Sequence, residues 1–142
     1  MLQSLAFAAT FGALSIGLSF AQSTSPKVAI PVTVVSPVDG RQMFTDYCAP
    51  CHGRDGRGEG PLASGLQRSP TNLTELARNN RGRFPELRMT SVLEFGVTSS
   101  GNHSSQMPVW GPVFVRISHL SPNDKDLRIV NLIRYLESIQ AK

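Results

Sequence analysis

The sequence predicts an all-α domain. Three observations lead there. Apolar side chains in the C-terminal stretch recur at three- and four-residue steps, no run in the body alternates with a strand's period of two, and the connecting segments are dense in Gly and Pro. With 142 residues, 40% of them apolar, the chain has length for one small domain plus extras. Its net charge is +4 and its isoelectric point about 9.6. Arg supplies eleven of the fourteen basic side chains.

Residues 1–21, MLQSLAFAATFGALSIGLSFA, carry no charged side chain and end on small residues at Ser19 and Ala21 before polar Gln22. This reads as a secretory signal, which places the mature protein in the periplasm or otherwise outside the cytoplasm. No Lys or Arg precedes the apolar run, and its length approaches that of a membrane span, so a retained anchor stays open. Membrane association is expected only in that case. Residues 22–36 contain two prolines and no helical period and read as a mobile linker, with a strand or arm added to the body as the alternative. The domain is expected over 37–142.

Ser36 as N-cap and Pro37 at the first helical position open the first predicted helix, with Asp39 in its first turn. Met43, Phe44 and Tyr47 give it a core-facing stripe, and it runs into Cys48. Residues 53–70, with five glycines and two prolines, form a loop. A short helix follows through Leu73, Leu76 and Ala77. Pro85 starts a third helix containing Leu87, Val92 and Phe95, closed by Gly96. Residues 97–120 are expected to return to loop. Ser121 and Pro122 begin the last helix, whose apolar face is Leu127, Val130, Ile133, Leu136 and Ile139. A domain this small, with this much loop, is marginal on apolar burial alone. Long irregular loops in a compact domain also need something to organise them. A bulky buried prosthetic group answers both difficulties.

The stretch CAPCHG, residues 48–53, holds both cysteines of the chain. Cys-x-x-Cys-His is the attachment pattern of c-type haem. On a helical turn, residues three apart project to one side. Cys48 and Cys51 are therefore spaced to bond the two vinyl groups on a porphyrin edge, and His52 follows at once to meet the iron. A thioredoxin-like dithiol would need a βαβ setting that is absent. A zinc site would need two further donors, such as His103 and His119, which lack paired spacing.

From about Val38 to Ile139 the sequence resembles the class I, monohaem bacterial cytochromes c. The parts that carry the resemblance arrive in order: a helix ending in CAPCHG, a glycine-rich loop ending in Gly60-Pro61, the Met107-Pro108-Val109-Trp110 loop, and a last helix ending Ile133-Arg134-Tyr135-Leu136. The resemblance implies the cytochrome c fold, three to five helices with long loops around one covalent haem c. It implies that Gly40 and Tyr135 sit where the terminal helices cross, that His52 is one axial ligand and that Met107, 55 residues later, is the other. Met/His ligation suits electron transfer. His103 is the rival sixth ligand. Pro61 would accept the His52 ring N–H through its carbonyl. Trp110 and Arg83 are candidate donors to the haem propionates, against the simpler readings of a core aromatic and a solvated charge.

The function so implied is an exported one-electron carrier, not an enzyme. A haem-bearing subunit of a larger periplasmic dehydrogenase or oxidase would carry the same residues and stays open, as does a haem sensor or peroxidase-like catalyst with a labile sixth site. The expected partners are redox proteins. The run Arg78-Asn79-Asn80-Arg81-Gly82-Arg83, with Arg88 nearby, would suit an acidic docking surface. Aromatics do not interleave with it, and no nucleic-acid fold is suggested.

Overall fold

A computed structural model describes residues 32–97, 106–118 and 123–142. The expected signal segment, most of the expected linker, His103, His119 and the Ser121–Pro122 start of the last helix lie outside these residues. Among the described residues all regular structure is helical, as the sequence predicts, and five helices joined by long loops are compatible with a cytochrome c-like fold.

The first helical run, α1, has three pieces: α-helix over Gly40–Met43, π-helix over Phe44–Cys48 and α-helix over Ala49–His52. It starts later than predicted. Ser36–Asp39 closes as a turn, with the Asp39 N–H donating to Ser36 O at 3.2 Å. Pro37 fits the second position of such a turn, because its ring fixes φ there. Asp39 is then the cap, its Oδ1 accepting the Gln42 N–H at 2.8 Å. Met43, Phe44 and Tyr47 are buried as expected.

A 3₁₀ turn over Leu73–Glu75 leads into α2, Leu76–Asn79, with the Asn72 side chain accepting the Thr74 N–H at 3.0 Å. Helix α3 spans Glu86–Phe95 and ends at Gly96, whose φ of 87° favours glycine. Its buried residues are Met89 and Leu93. The expected Leu87 and Phe95 are 86% and 73% exposed. Helix α4, Trp110–Ile117, occupies what was predicted to be loop. Gly111-Pro112 reads as a breaker, but both residues fall in the helix's first turn, where Pro deprives no intrahelical bond of its donor. Gly111 also permits a close crossing, since a Cβ there would lie 2.6 Å from Glu94 O on α3.

Helix α5 spans Asp124–Ser138 and crosses α1. The crossing falls where the resemblance implied. A Cβ on Gly40 would overlap the Asn131 carbonyl and lie 3.1 Å from Tyr135 Cβ. Phe44 and Tyr135 pack with ring centroids 5.1 Å apart. The buried row of α5 is rotated from the predicted one. Ile129 and Leu132 join Ile133 and Leu136 in the core, while Leu127 and Val130 are partly exposed. Arg128, only 2% exposed, stands in that row and disguises its period. Its guanidinium donates to Val35 O at 2.5 Å.

That contact belongs to a second correction. Residues 33–35, assigned to the mobile linker, are docked on the body. The Tyr47 hydroxyl donates to Thr33 O at 2.5 Å and accepts the Val35 N–H at 3.2 Å. Val35 is itself buried. No helix among the described residues is long and apolar enough to cross a membrane.

Candidate functional site

The CAPCH turn is built by the end of α1 and the loop that follows it. Helix ends leave carbonyls without intrahelical partners. Here the glycine-rich loop supplies them. Gly58 N–H donates to His52 O at 2.7 Å, Gly60 N–H to Cys51 O at 3.0 Å and Leu62 N–H to Pro50 O at 2.9 Å. The loop must lie flat against the turn to do this. A Cβ on Gly60 would sit 2.5 Å from Pro50 O and 2.6 Å from both Ala49 O and the Cys51 carbonyl carbon, so only glycine fits. The turn carrying both sulfurs and the imidazole is thus clamped by backbone hydrogen bonds. The π-helical turn ends on Cys48 itself. Such turns are rare and often lie at functional sites.

The two thiols are free, Cys48 buried and Cys51 partly so. Burial, with Cys51 beside it as a smaller cause, pushes the Cys48 thiol up to about 12. Burial also pushes Cys51 up. Neither is an activated thiolate of the dithiol-redox kind, which needs a depressed value. Burial depresses His52 below its ordinary value, a shift partly opposed by its bond to a backbone carbonyl. That bond runs from His52 Nδ1 to Thr71 O at 2.9 Å. A carbonyl only accepts, so Nδ1 carries the proton and Nε2 keeps its lone pair for a ligand. The expected acceptor was Pro61. Pro61 is instead exposed at the loop's edge, and the 70–73 segment reaches His52, pinned by Leu73 N–H to Gly56 O at 2.7 Å. Asn72 caps the short helix just after Thr71, but nothing in the sequence marks the Thr71 carbonyl as the acceptor.

Among the described residues no three His, Cys, Asp or Glu side chains converge on a point that would hold a metal ion. Cys48, Cys51 and His52 share the one clamped turn, the pattern for a flat group bonded at its edge by sulfur and at its centre by nitrogen.

Met107 is partly buried and packs against the core, just ahead of α4. The segment that carries it is tied to the glycine-rich loop's far end, where Gln67 N–H donates to Gln106 Oε1 at 2.6 Å. The sequence reading had no role for either glutamine. Trp110 is 2% exposed and lies in an aromatic stack, 5.3 Å from the Tyr47 ring and 5.6 Å from Phe114, so the simpler reading of a core aromatic describes its surroundings. Arg83 is exposed beside Asn80, Phe84 and Arg88, apart from the CAPCH turn in sequence and with no ion pair among the described residues.

Neither the scan against protein-family models nor the search of curated proteins returned a match. Among solved structures, the chain is similar to a chain of the reducing HAO-like protein complex of Kuenenia stuttgartiensis. The two are 22% identical with a TM-score of 0.49, over 80% of this chain and 46% of that one. The chain thus spans about half the length of the structure it matches.

Proposed function

We propose that the protein is an exported monohaem cytochrome of the class I type, carrying one electron at a time. The observation that carries this reading is the clamped CAPCH turn, with two cysteines on one turn and His52 Nδ1 bonded to Thr71 O so that Nε2 keeps its lone pair. Haem c would supply the ferric/ferrous couple. The Cys48 and Cys51 sulfurs would form the two thioethers at the ring edge. His52 Nε2 would be one axial ligand and the Met107 thioether the other, a soft donor that favours the reduced iron. The Thr71 carbonyl fixes the His52 tautomer and strengthens the ring as a donor. Phe44, Tyr47 and Leu93 belong to the same buried core as Cys48 and Ala49 of the turn.

The subunit reading has one observation in its favour. Leu87 and Phe95 lie eight residues apart on α3, both largely exposed, and Leu87 borders one groove with the charged Arg83 and Arg88. A protein partner would cover that face. Co-purification as a stable complex would select this reading over a free carrier.

The test is a haem-dependent peroxidase stain after denaturing electrophoresis, with a reduced-minus-oxidised spectrum of the exported protein. A stained band and a low-spin c-type spectrum are expected. Cys48→Ala with Cys51→Ala removes the band. Met107→Ala keeps it, lowers the potential and opens the iron to carbon monoxide. A wild-type chain that is colourless after export and maturation overturns the proposal.

A further inference from the structure

Gln140 lies beyond the end of α5, and the sequence gives it no chemical part. In the structure it is the most connected side chain at the C-terminus. Its Oε1 accepts the Ala77 N–H at 2.9 Å. Its Nε2 donates to Leu73 O at 2.8 Å and to Leu136 O at 2.7 Å. The next residue adds a backbone bond, Ala141 N–H to Thr74 O at 2.7 Å. The tail therefore grips the 73–77 segment at three points: the Leu73 and Thr74 carbonyls and the Ala77 amide. Ile139 completes the contact from the other side. Its Cδ1 stands 3.2 Å from where a Gly56 Cβ would be, next to Thr74 and Phe44.

The gripped segment is the one that orients His52. Leu73, whose carbonyl Gln140 holds, donates its own N–H to Gly56 O in the loop that follows the CAPCH turn. Thr71, two residues earlier, offers its carbonyl to His52 Nδ1. We infer that Gln140 is a positioning residue for His52. Through Leu73 and Ala77 it fixes the 71–77 segment against α5, and so sets the length of the His52–Thr71 hydrogen bond and with it the donor strength of the imidazole. This inference rests on the proposed haem ligation for its effect on potential. The coupling between Gln140 and the His52 ring proton stands without it.

A shorter Nδ1–H···O bond pushes electron density onto the ring and favours the oxidised metal, so loosening it raises the potential. The experiment compares wild type, Gln140→Ala, Gln140→Glu and Ser138→Ala as complete, matured chains in the ferrous state. Ser138 is the control: its hydroxyl donates to Tyr135 O, within the same helix end, and among the described residues makes no hydrogen bond to 71–77. Two quantities are read. The first is solvent exchange of the His52 Nδ1 proton, by nitrogen-15 NMR. The second is the midpoint potential. In Gln140→Ala, exchange is expected to quicken roughly five- to tenfold, as loss of about one hydrogen bond's worth of restraint gives, and the potential to rise. Gln140→Glu keeps the acceptor for Ala77 but sets a carboxylate oxygen against the Leu73 and Leu136 carbonyls, and is expected to loosen the segment at least as much as the alanine. Ser138→Ala loses some stability and shifts neither quantity. If Gln140→Ala is destabilised like Ser138→Ala but keeps the wild-type exchange rate and potential, Gln140 is merely structural and the inference is overturned. Faster exchange in a colourless chain would retain the coupling and refute the haem reading instead.

Discussion

The two halves of the proposed ligand set are built by different means. The His52 half is held by the backbone. Three loop amides satisfy the last carbonyls of α1, and Thr71 O receives the imidazole N–H. Among the described residues, the Met107 half shows a side-chain tether, Gln106 accepting from Gln67, and the packing of Met107 on the core. Backbone bonds depend on conformation and close approach, which glycines encode locally. Side-chain tethers depend on partners far along the chain. The first half should therefore be brittle to small changes in shape, and the second tolerant of them.

The largest effect expected is at Gly60. Gly60→Ala forces a methyl group into the Pro50, Ala49 and Cys51 backbone, none of which can move without opening the clamp. A loss of about 3 kcal/mol in denaturant unfolding is expected, at the upper end for overpacking. Haem attachment in the cell should fall with it. Gly65→Ala, in the same loop but with nothing within 4 Å of the added methyl, is the matched control and should be nearly silent.

On the other half, Gln106→Ala removes one tether and should cost about 1 kcal/mol. The band should stay stained and the iron should become more open to added ligands. A cost equal to that of Gly60→Ala would erase the distinction between the halves.

Acid sharpens the comparison. Burial holds the His52 imidazole below its ordinary value of 6.5, so the unfolded chain takes up a proton that the folded one resists. Above that value both states are neutral and the group adds no pH slope. As the pH falls through it, stability is lost. Denaturant midpoints of the chain made without haem maturation should show this slope with His52 and lack it in His52→Gln, whereas in the matured protein an iron held at Nε2 would keep the ring from titrating there.

The smallest effect is at Pro61, exposed and no longer the imidazole's acceptor. Pro61→Ala should change stability by no more than about 0.5 kcal/mol and leave the His52 ring proton as it was.

What was legible in the sequence follows the same division. The CAPCH turn and the glycine loop were readable because spacing or the absence of a side chain fixes them locally, whereas the Gly40–Tyr135 crossing was implied only by the resemblance. The cap at Asp39 was missed because Ser36-Pro37 imitates a helix start that the turn uses up first. Helix α4 was missed because Gly111-Pro112 imitates a break, when the glycine answers to Glu94 on another helix. The true face of α5 was hidden by Arg128, a charge in a buried row whose acceptor, Val35 O, lies 93 residues away. Thr71 was beyond reach for the same reason. A backbone carbonyl has no signature of its own, and only the fold brings it to His52.

The central claim, that Cys48 and Cys51 hold one porphyrin between them on a preformed turn, is tested most directly on the tryptic peptide Gln42–Arg54. From exported, matured protein its mass should be that of the peptide plus a single haem, with no thiol left to alkylate. A peptide with two alkylatable thiols, or with Cys48 and Cys51 joined to each other, would contradict it.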